Sequence, residues 1–285
     1  MKKFLRLTAL FAALAMIMSF AGCGSAKQTS TANDASKTQD NTFKVGMECA
    51  YPPFNWTQSD DSNGAVAIEG GGYAGGYDIE IAKKIAEGLG KKLVIVKTQW
   101  DGLVPAVDSG VIDAIIAGMS PTAERKTRID FTNNYYTSDL VIVVRKDGKY
   151  ANAKTLDDFA GAKITGQLNT FHYSVIDQIK GVNKQPALED FPTMTTSLNA
   201  GTIDGYISER PGAISAEASN PNLTFISFEK GKGFTASDED ISIAVGLKKG
   251  SELKDKINSI LSGISEDDRT KIMDNAVKTQ PLTSK

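Results

Sequence analysis

The sequence predicts an α/β protein built from two similar halves, and three observations carry that expectation. Short apolar runs at 93–96, 112–116 and 140–144 alternate with segments whose apolar residues recur at helical spacing, as in Ile81, Ala82, Ile85, Ala86 and Leu89. Strands that are joined through helices pair in parallel. The segment VDSGVIDAII at 107–116 recurs as LNAGTIDGYI at 198–207, 91 residues later. Each copy reads as a helix end, a glycine cap and a strand opened by Ile-Asp; chance likeness between two such joints is the alternative. Finally, 285 residues of which 41% are hydrophobic and 23% charged give ordinary globular composition, with room for two medium domains.

The N-terminus reads as a leader rather than part of the fold. Lys2, Lys3 and Arg6 precede an apolar run at 7–20, which is short against the ~20 residues of a membrane span. Residues 1–22 are expected to be a signal peptide. Ala21-Gly22-Cys23 resembles a bacterial lipobox, with Phe20 where leucine is usual. That resemblance implies a palmitate-bearing lipoprotein, anchored outside the cytoplasm through Cys23; a plain secretory, periplasmic protein is the alternative. Residues 23–42 are small and polar and read as a flexible tether. Cleavage removes three of the 32 basic residues and none of the 34 acidic ones, leaving a charge of about −5. No basic run argues for nucleic acid. Cys49 has no partner in the folded region, which excludes a disulfide framework and a cysteine-based metal site.

Along the chain, 43–47 reads as a strand, and 48–56, with Pro52-Pro53, as a fixed loop carrying Tyr51, Phe54 and Trp56. Residues 60–76 read as a polar, glycine-rich loop with a candidate strand at 65–68. Gly70, Gly72 and Gly75 fit G-x-G-x-x-G, but no acidic residue follows at the distance a dinucleotide site needs, so a flexible loop explains them better. Asp78 is expected to cap a helix ending at Gly90. A short helix at 103–107, the strand 112–116 and a helix starting at Ser120-Pro121-Thr122 follow. The second half predicts a strand at 140–144, a helix from 155, a strand at 162–165, a helix at 170–179 and a strand at 186–189. A helix at 193–200, a strand at 203–207, a helix at 213–218 and strands at 223–226 and 241–246 follow. Helices at 253–261 and 267–277 end the chain.

The two copies of the repeat end near polar clusters, Gly118-Ser120-Arg125 and Ser208-Glu209-Arg210. Free N–H groups at a helix start, with the guanidinium of Arg125, form a receptor for a carboxylate; a capped helix with Arg125 in a surface ion pair is the alternative. Ligands of open α/β sheets lie at the carboxyl ends of strands. Two such edges facing one another offer Arg125 for a carboxylate and Glu209 for an ammonium, which suits an α-amino acid. His172 is the only histidine and is expected at the surface or cleft edge, so triad or histidine–metal chemistry has little to build on.

Gly46-Met47-Glu48-Cys49-Ala50-Tyr51-Pro52-Pro53-Phe54, Gly76-Tyr77-Asp78-Ile79-Glu80-Ile81-Ala82 and Trp100-Asp101-Gly102-Leu103 through Arg125 to Asp130-Phe131 together resemble the amino-acid-binding proteins of ABC importers (family 3 solute-binding proteins). The resemblance covers 43–280. It implies a type II periplasmic-binding-protein fold, with two α/β lobes, a two-strand hinge and a ligand cleft between them. Lobe 1 is expected at 43–136 plus 241–285, and lobe 2 at 137–240. It further implies Ser120 and Arg125 on the ligand carboxylate, helped by backbone at Ala117 and Gly118, and Glu209 on the ammonium. Asn169 would stand at the second-lobe turn, where this chain lacks the usual glycine. Glu48, Tyr51 and Trp100 would line the side-chain pocket. Two aromatics and a carboxylate favour arginine, lysine or ornithine; glutamine or histidine is the alternative ligand. A monomer without metal or cofactor, serving a permease and its ATPase subunits, is expected. A cyclohexadienyl or arogenate dehydratase-like enzyme on the same fold is the alternative class.

Overall fold

The computed structural model describes residues 41–281. The expected signal peptide, Cys23 and nearly all of the tether lie outside them. The chain begins with β1 (Thr42–Met47) and the hairpin β2 (Ala50–Tyr51) and β3 (Asn55–Gln58). Then come β4 (Val66–Ala67), β5 (Tyr73–Gly75), α1 (Tyr77–Gly88), β6 (Lys92–Lys97), α2 (Trp100–Ser109) and β7 (Ala114–Ile115). A single turn, α3 (Ala123–Lys126), leads into the long strand β8 (Ile129–Thr137). The chain next forms β9 (Leu140–Arg145), β10 (Lys163–Thr165), α4 (Phe171–Ser174), β11 (Asn183–Lys184), α5 (Phe191–Asn199) and β12 (Gly205–Glu209). It closes with α6 (Arg210–Ser219), β13 (Leu223–Ile226), β14 (Ser242–Lys248), α7 (Leu253–Ser262) and α8 (Glu266–Thr279).

Two five-stranded sheets share one plan. The first is ordered β6-β1-β7-β14-β8 and the second β11-β10-β12-β9-β13. In each, the first three strands run parallel, and the fourth is antiparallel to both its neighbours. The repeated segment occupies the same place in both, since β7 and β12 are the third strands. Its aspartates do the same work. Lys44 N–H donates to the Asp113 carboxylate at 2.8 Å, and Lys163 N–H donates to the Asp204 carboxylate at 2.9 Å. Asp113 N–H and Asp204 N–H return bonds to the carbonyls of Lys44 and Lys163. The repeat is therefore a joint that locks the first residues of one strand to its parallel neighbour.

A third, antiparallel sheet, β2-β3-β5-β4, flanks the first. It corrects two loop expectations. The prolines at 52–53 occupy the hairpin turn, where no ladder N–H is needed, so Tyr51 and Asn55 still pair. The glycine-rich 60–76 folds as β4 and β5, strands too short to show a period. Asp78 does not cap α1. Gly76 holds that position with φ 129°, where a Cβ would collide with the Phe54 carbonyl, and Asp78 is wholly buried. The helix expected from Ser120 is one turn, capped by Thr122, whose hydroxyl accepts from Arg125 N–H at 3.3 Å. Residues 156–159 form a 3-10 turn rather than a helix. The helix expected at 170–179 is split into α4 and a 3-10 turn at 175–178. The strand expected at 186–189 is replaced by β11, leaving one bridge between Gln167 and Leu188.

The chain passes from the first sheet to the second between Thr137 and Leu140 and returns ahead of Ser242. The two passages lie side by side, with Thr137 paired to Ser242 and Ser138 N–H bonded to the Ile241 carbonyl. If the repeated aspartates are equivalent, Asp113→Ala and Asp204→Ala each lower stability by about 1 kcal/mol, and the effects add in the double variant. Urea unfolding measures this.

Candidate functional site

The parallel strands of both sheets deliver their carboxyl ends to one place, as open α/β sheets do. Beyond β1 stand Glu48 and Tyr51, and beyond β7 stand Ala117, Gly118 and Ser120. Gln167 to Thr170 follow β10, and Glu209 ends β12. Tyr51, Trp100, Ala117, Gly118, Ser120, Arg125 and Glu209 line one pocket, together with Gln167, Thr170, Phe171 and His172.

Arg125 is the cation of this pocket. Its Nη1 donates to the Ser120 carbonyl and its Nη2 to the Asn169 carbonyl, both at 3.0 Å. Its guanidinium lies 5.0 Å from the Trp100 ring centre. Burial brings its pKa down to about 10, so it stays charged at neutral pH. The Ser120 hydroxyl is directed at the Asp240 carbonyl, 2.9 Å away. Gly118 has φ 62°, and a Cβ there would come within 3.0 Å of the Tyr51 ring, so glycine lets that ring lie over the turn. Its N–H donates to the Tyr135 hydroxyl at 3.3 Å, which in turn donates to Asp78 at 2.8 Å. Asp78 also accepts from Asn55, at 2.8 Å.

Two buried carboxyls flank the pocket. Burial pushes Glu48 up to about 7, although Gln167 donates to it at 3.0 Å. Burial likewise pushes Glu209 up to about 8. Glu209 Oε1 lies 2.9 Å from His172 Nε2. Burial holds His172 down to about 4, and the charge of Arg125 adds to this. A contact of that length suits an ion pair or a neutral hydrogen bond, and two groups that burial drives to neutrality make the second. Burial thus moves both partners of this contact toward their uncharged forms. Among the described residues, neither Glu48 nor Glu209 has a lysine or arginine within ion-pair distance.

A family model described as bacterial extracellular solute-binding proteins, family 3, matches residues 43–277. The chain belongs to that family. A probable histidine-binding protein of Campylobacter jejuni is 31% identical over 99% of this chain and 100% of its own length. The L-cystine-binding protein TcyJ of Escherichia coli is 30% identical over 79% of this chain and 77% of its own. A crystal structure of an amino acid ABC transporter substrate-binding protein from Streptococcus pneumoniae, bound to L-arginine, superposes with a TM-score of 0.74 at 27% identity. That match covers 84% of this chain and 95% of the other. The two sheets are thus the two lobes of a type II periplasmic-binding fold.

In this solute-binding protein Glu48 and Asn169 stand apart from the other seven expected site residues. Glu48 sits behind Gln167, and Asn169 lies on the outer groove, where its side chain donates to Asp101 at 2.9 Å. The Asn169 carbonyl still reaches the site, turned toward Arg125 by a left-handed φ of 54°. The rings of Tyr51 and Trp100 do not face each other across an open gap. Tyr51 is stacked on Phe191 at 4.0 Å, and a face of Trp100 is covered by Arg125. His172, expected at the surface or cleft edge, lines the pocket with a side chain only 11% exposed. Its place three residues after Asn169, in the short helix that follows that turn, was the available signal. No local pattern marks Gln167 or Phe191.

The pKa directions fix a stability profile. Glu48 and Glu209 hold protons in the fold that the unfolded chain has lost, so their contribution is present below pH 4.5 and lost as pH rises through 7 and 8. His172 acts oppositely, its contribution being lost as pH falls from 6.5 through 4. Urea midpoints should fall between pH 6 and 9, and Glu48→Gln with Glu209→Gln should flatten that fall.

Proposed function

We propose that this protein captures a free L-amino acid, with arginine, lysine or ornithine favoured, and delivers it to the permease of an ABC importer. The observation that carries the reading is the charge arrangement of the cleft. One protein cation, Arg125, shares the pocket with the carboxyl of Glu209, Glu48 lies just behind Gln167, and among the described residues no lysine or arginine pairs with either carboxyl. An α-carboxylate suits Arg125, an α-ammonium suits Glu209, and a cationic side chain suits Glu48. The relatives named for histidine and cystine, and the neighbour that holds L-arginine, support the amino-acid class. They are binding proteins, which supports a non-enzymatic role.

Lobe 1 is read as 43–136 plus 241–285 and lobe 2 as 137–240. Closure about the paired passages at Thr137 and Ser242 brings Arg125 and Glu209 onto one ligand. Lipidation at Cys23 and the tether 23–42 would hold the protein at the membrane outside the cytoplasm. Among the described residues, no helix is long and apolar enough to cross a membrane.

Calorimetric titration with single amino acids tests the reading. Arginine, lysine or ornithine should bind more tightly than glutamine or histidine; heat from neutral ligands alone would refute the cationic assignment. Arg125→Ala should weaken binding by about 2–5 kcal/mol while leaving the circular dichroism unchanged. A cationic side chain requires ionised Glu48, whose pKa is about 7, and an α-ammonium requires ionised Glu209, at about 8, so arginine affinity should be well over tenfold weaker at pH 6 than at pH 8.

A further inference from the structure

We propose that Asn169 is a clasp between the lobes, a positioning residue that holds Arg125 and Trp100 from the far side of the cleft once it has closed. The inference rests on the reading of the cleft as an amino-acid site, and it assigns Asn169 to the walls of that site rather than to the ligand.

Asn169 follows β10 in the second lobe, and its side chain and its carbonyl both bond to the first. Its Nδ2 donates to the Asp101 carboxylate at 2.9 Å. Its carbonyl accepts from Arg125 Nη2 at 3.0 Å and from Trp100 Nε1 at 3.5 Å. Trp100 and Asp101 open α2, and Arg125 lies in α3. One residue of the second lobe thus grips both elements that carry the first lobe's cation and its tryptophan.

The local backbone makes that grip possible. Asn169 has a left-handed φ of 54°, a conformation that glycine, asparagine and aspartate reach at low cost. Its neighbours tie the turn to its own lobe. Leu168 N–H donates to the Leu188 carbonyl at 2.8 Å, and the Thr170 hydroxyl donates to the Gln167 carbonyl at 2.7 Å. Held on both sides, the left-handed residue directs its carbonyl and its side chain at the same partner lobe. Arg125 answers with one N–H to Asn169 and another to the Ser120 carbonyl. Its guanidinium is thus fixed from both lobes, 5.0 Å from the Trp100 ring centre. Its other N–H groups remain for a ligand carboxylate.

Asp101 and Asn169 lie 68 positions apart, and their bond is exposed to water. Water competes for it, so its contribution is modest. In the closure proposed above it forms only after a ligand has entered, so it slows escape and leaves entry unaffected.

Asn169→Gly keeps the left-handed turn and its carbonyl and removes only the bond to Asp101. Asn169→Asp sets two carboxylates against one another, and adding Asp101→Asn rebuilds the bond with its direction reversed. Calorimetry on the full-length protein finds which of arginine, lysine, ornithine, glutamine, histidine and cystine binds most tightly. Stopped-flow tryptophan fluorescence with that ligand then gives the association and dissociation rates. Asn169→Gly and Asn169→Asp are expected to bind about threefold to tenfold more weakly through faster dissociation, with the ligand-free urea midpoint unchanged. The combined Asn169→Asp and Asp101→Asn variant is expected to return to within about twofold of the wild type. Unchanged affinity or dissociation rate in Asn169→Gly, a combined variant no better than Asn169→Asp, or a ligand-free urea midpoint lowered in both single variants overturns the proposal alone. Absence of heat from the wild type with every ligand overturns the amino-acid reading and this proposal with it.

Discussion

The buried carboxyl of Asp78 is the constraint on which the first lobe's half of the cleft depends. It is wholly removed from water, and burial pushes its pKa up to about 6. Such a group is tolerated only where donors converge on it. Those donors come from three separate stretches. Asn55 belongs to the small antiparallel sheet, Tyr135 to β8, and Gly118 follows β7 and is linked through the Tyr135 hydroxyl. Asp78 itself lies in the first turn of α1, whose dipole favours its charge. Satisfying one carboxyl thus fixes the positions of the hairpin that carries Tyr51, the glycine turn beneath that ring and the strand that leads toward the second lobe.

Much of this was legible from residue order. Alternating strands and helices foretold the three parallel strands of each sheet but not the antiparallel strands beside them, and the repeated glycine–Ile-Asp joint foretold that the sheets share a plan. Arg125, Ser120 and Glu209 could be placed because each follows a strand whose end must open on the cleft. The reading of Asp78 failed because a short acidic side chain before an apolar stripe has two uses, a helix cap or a buried acceptor. Which one holds depends on Tyr135, 57 positions away. Helices at 155 and 170 were overcalled because a single turn and a full helix share the same capping signals. For His172 polarity suggests the surface or the cleft edge, and its burial was not legible because its partner, Glu209, arrives from another strand.

Glu209 in the pocket and Glu48 behind Gln167 outnumber the one cation there, Arg125, and this orders the chemistry. Glu48 and Glu209 are raised by desolvation, Arg125 remains charged, and His172 is kept neutral between them. A ligand that supplies positive charge converts acids held neutral by burial into paired carboxylates. Selectivity then depends on burial as well as shape, since the same glutamates at an exposed surface would be ionised whatever arrived.

The stack of Tyr51 on Phe191 joins a hairpin of the first lobe to a helix of the second, and the Gln167–Glu48 hydrogen bond spans the same gap. Both contacts involve protein atoms alone. In the closure proposed above they would favour the shut form independently of what is captured, and so set how much of the population stands ready for a ligand. Apparent affinity scales with that ready fraction. An aromatic residue that never changes its own contact with the ligand can thus act as a gain control on uptake.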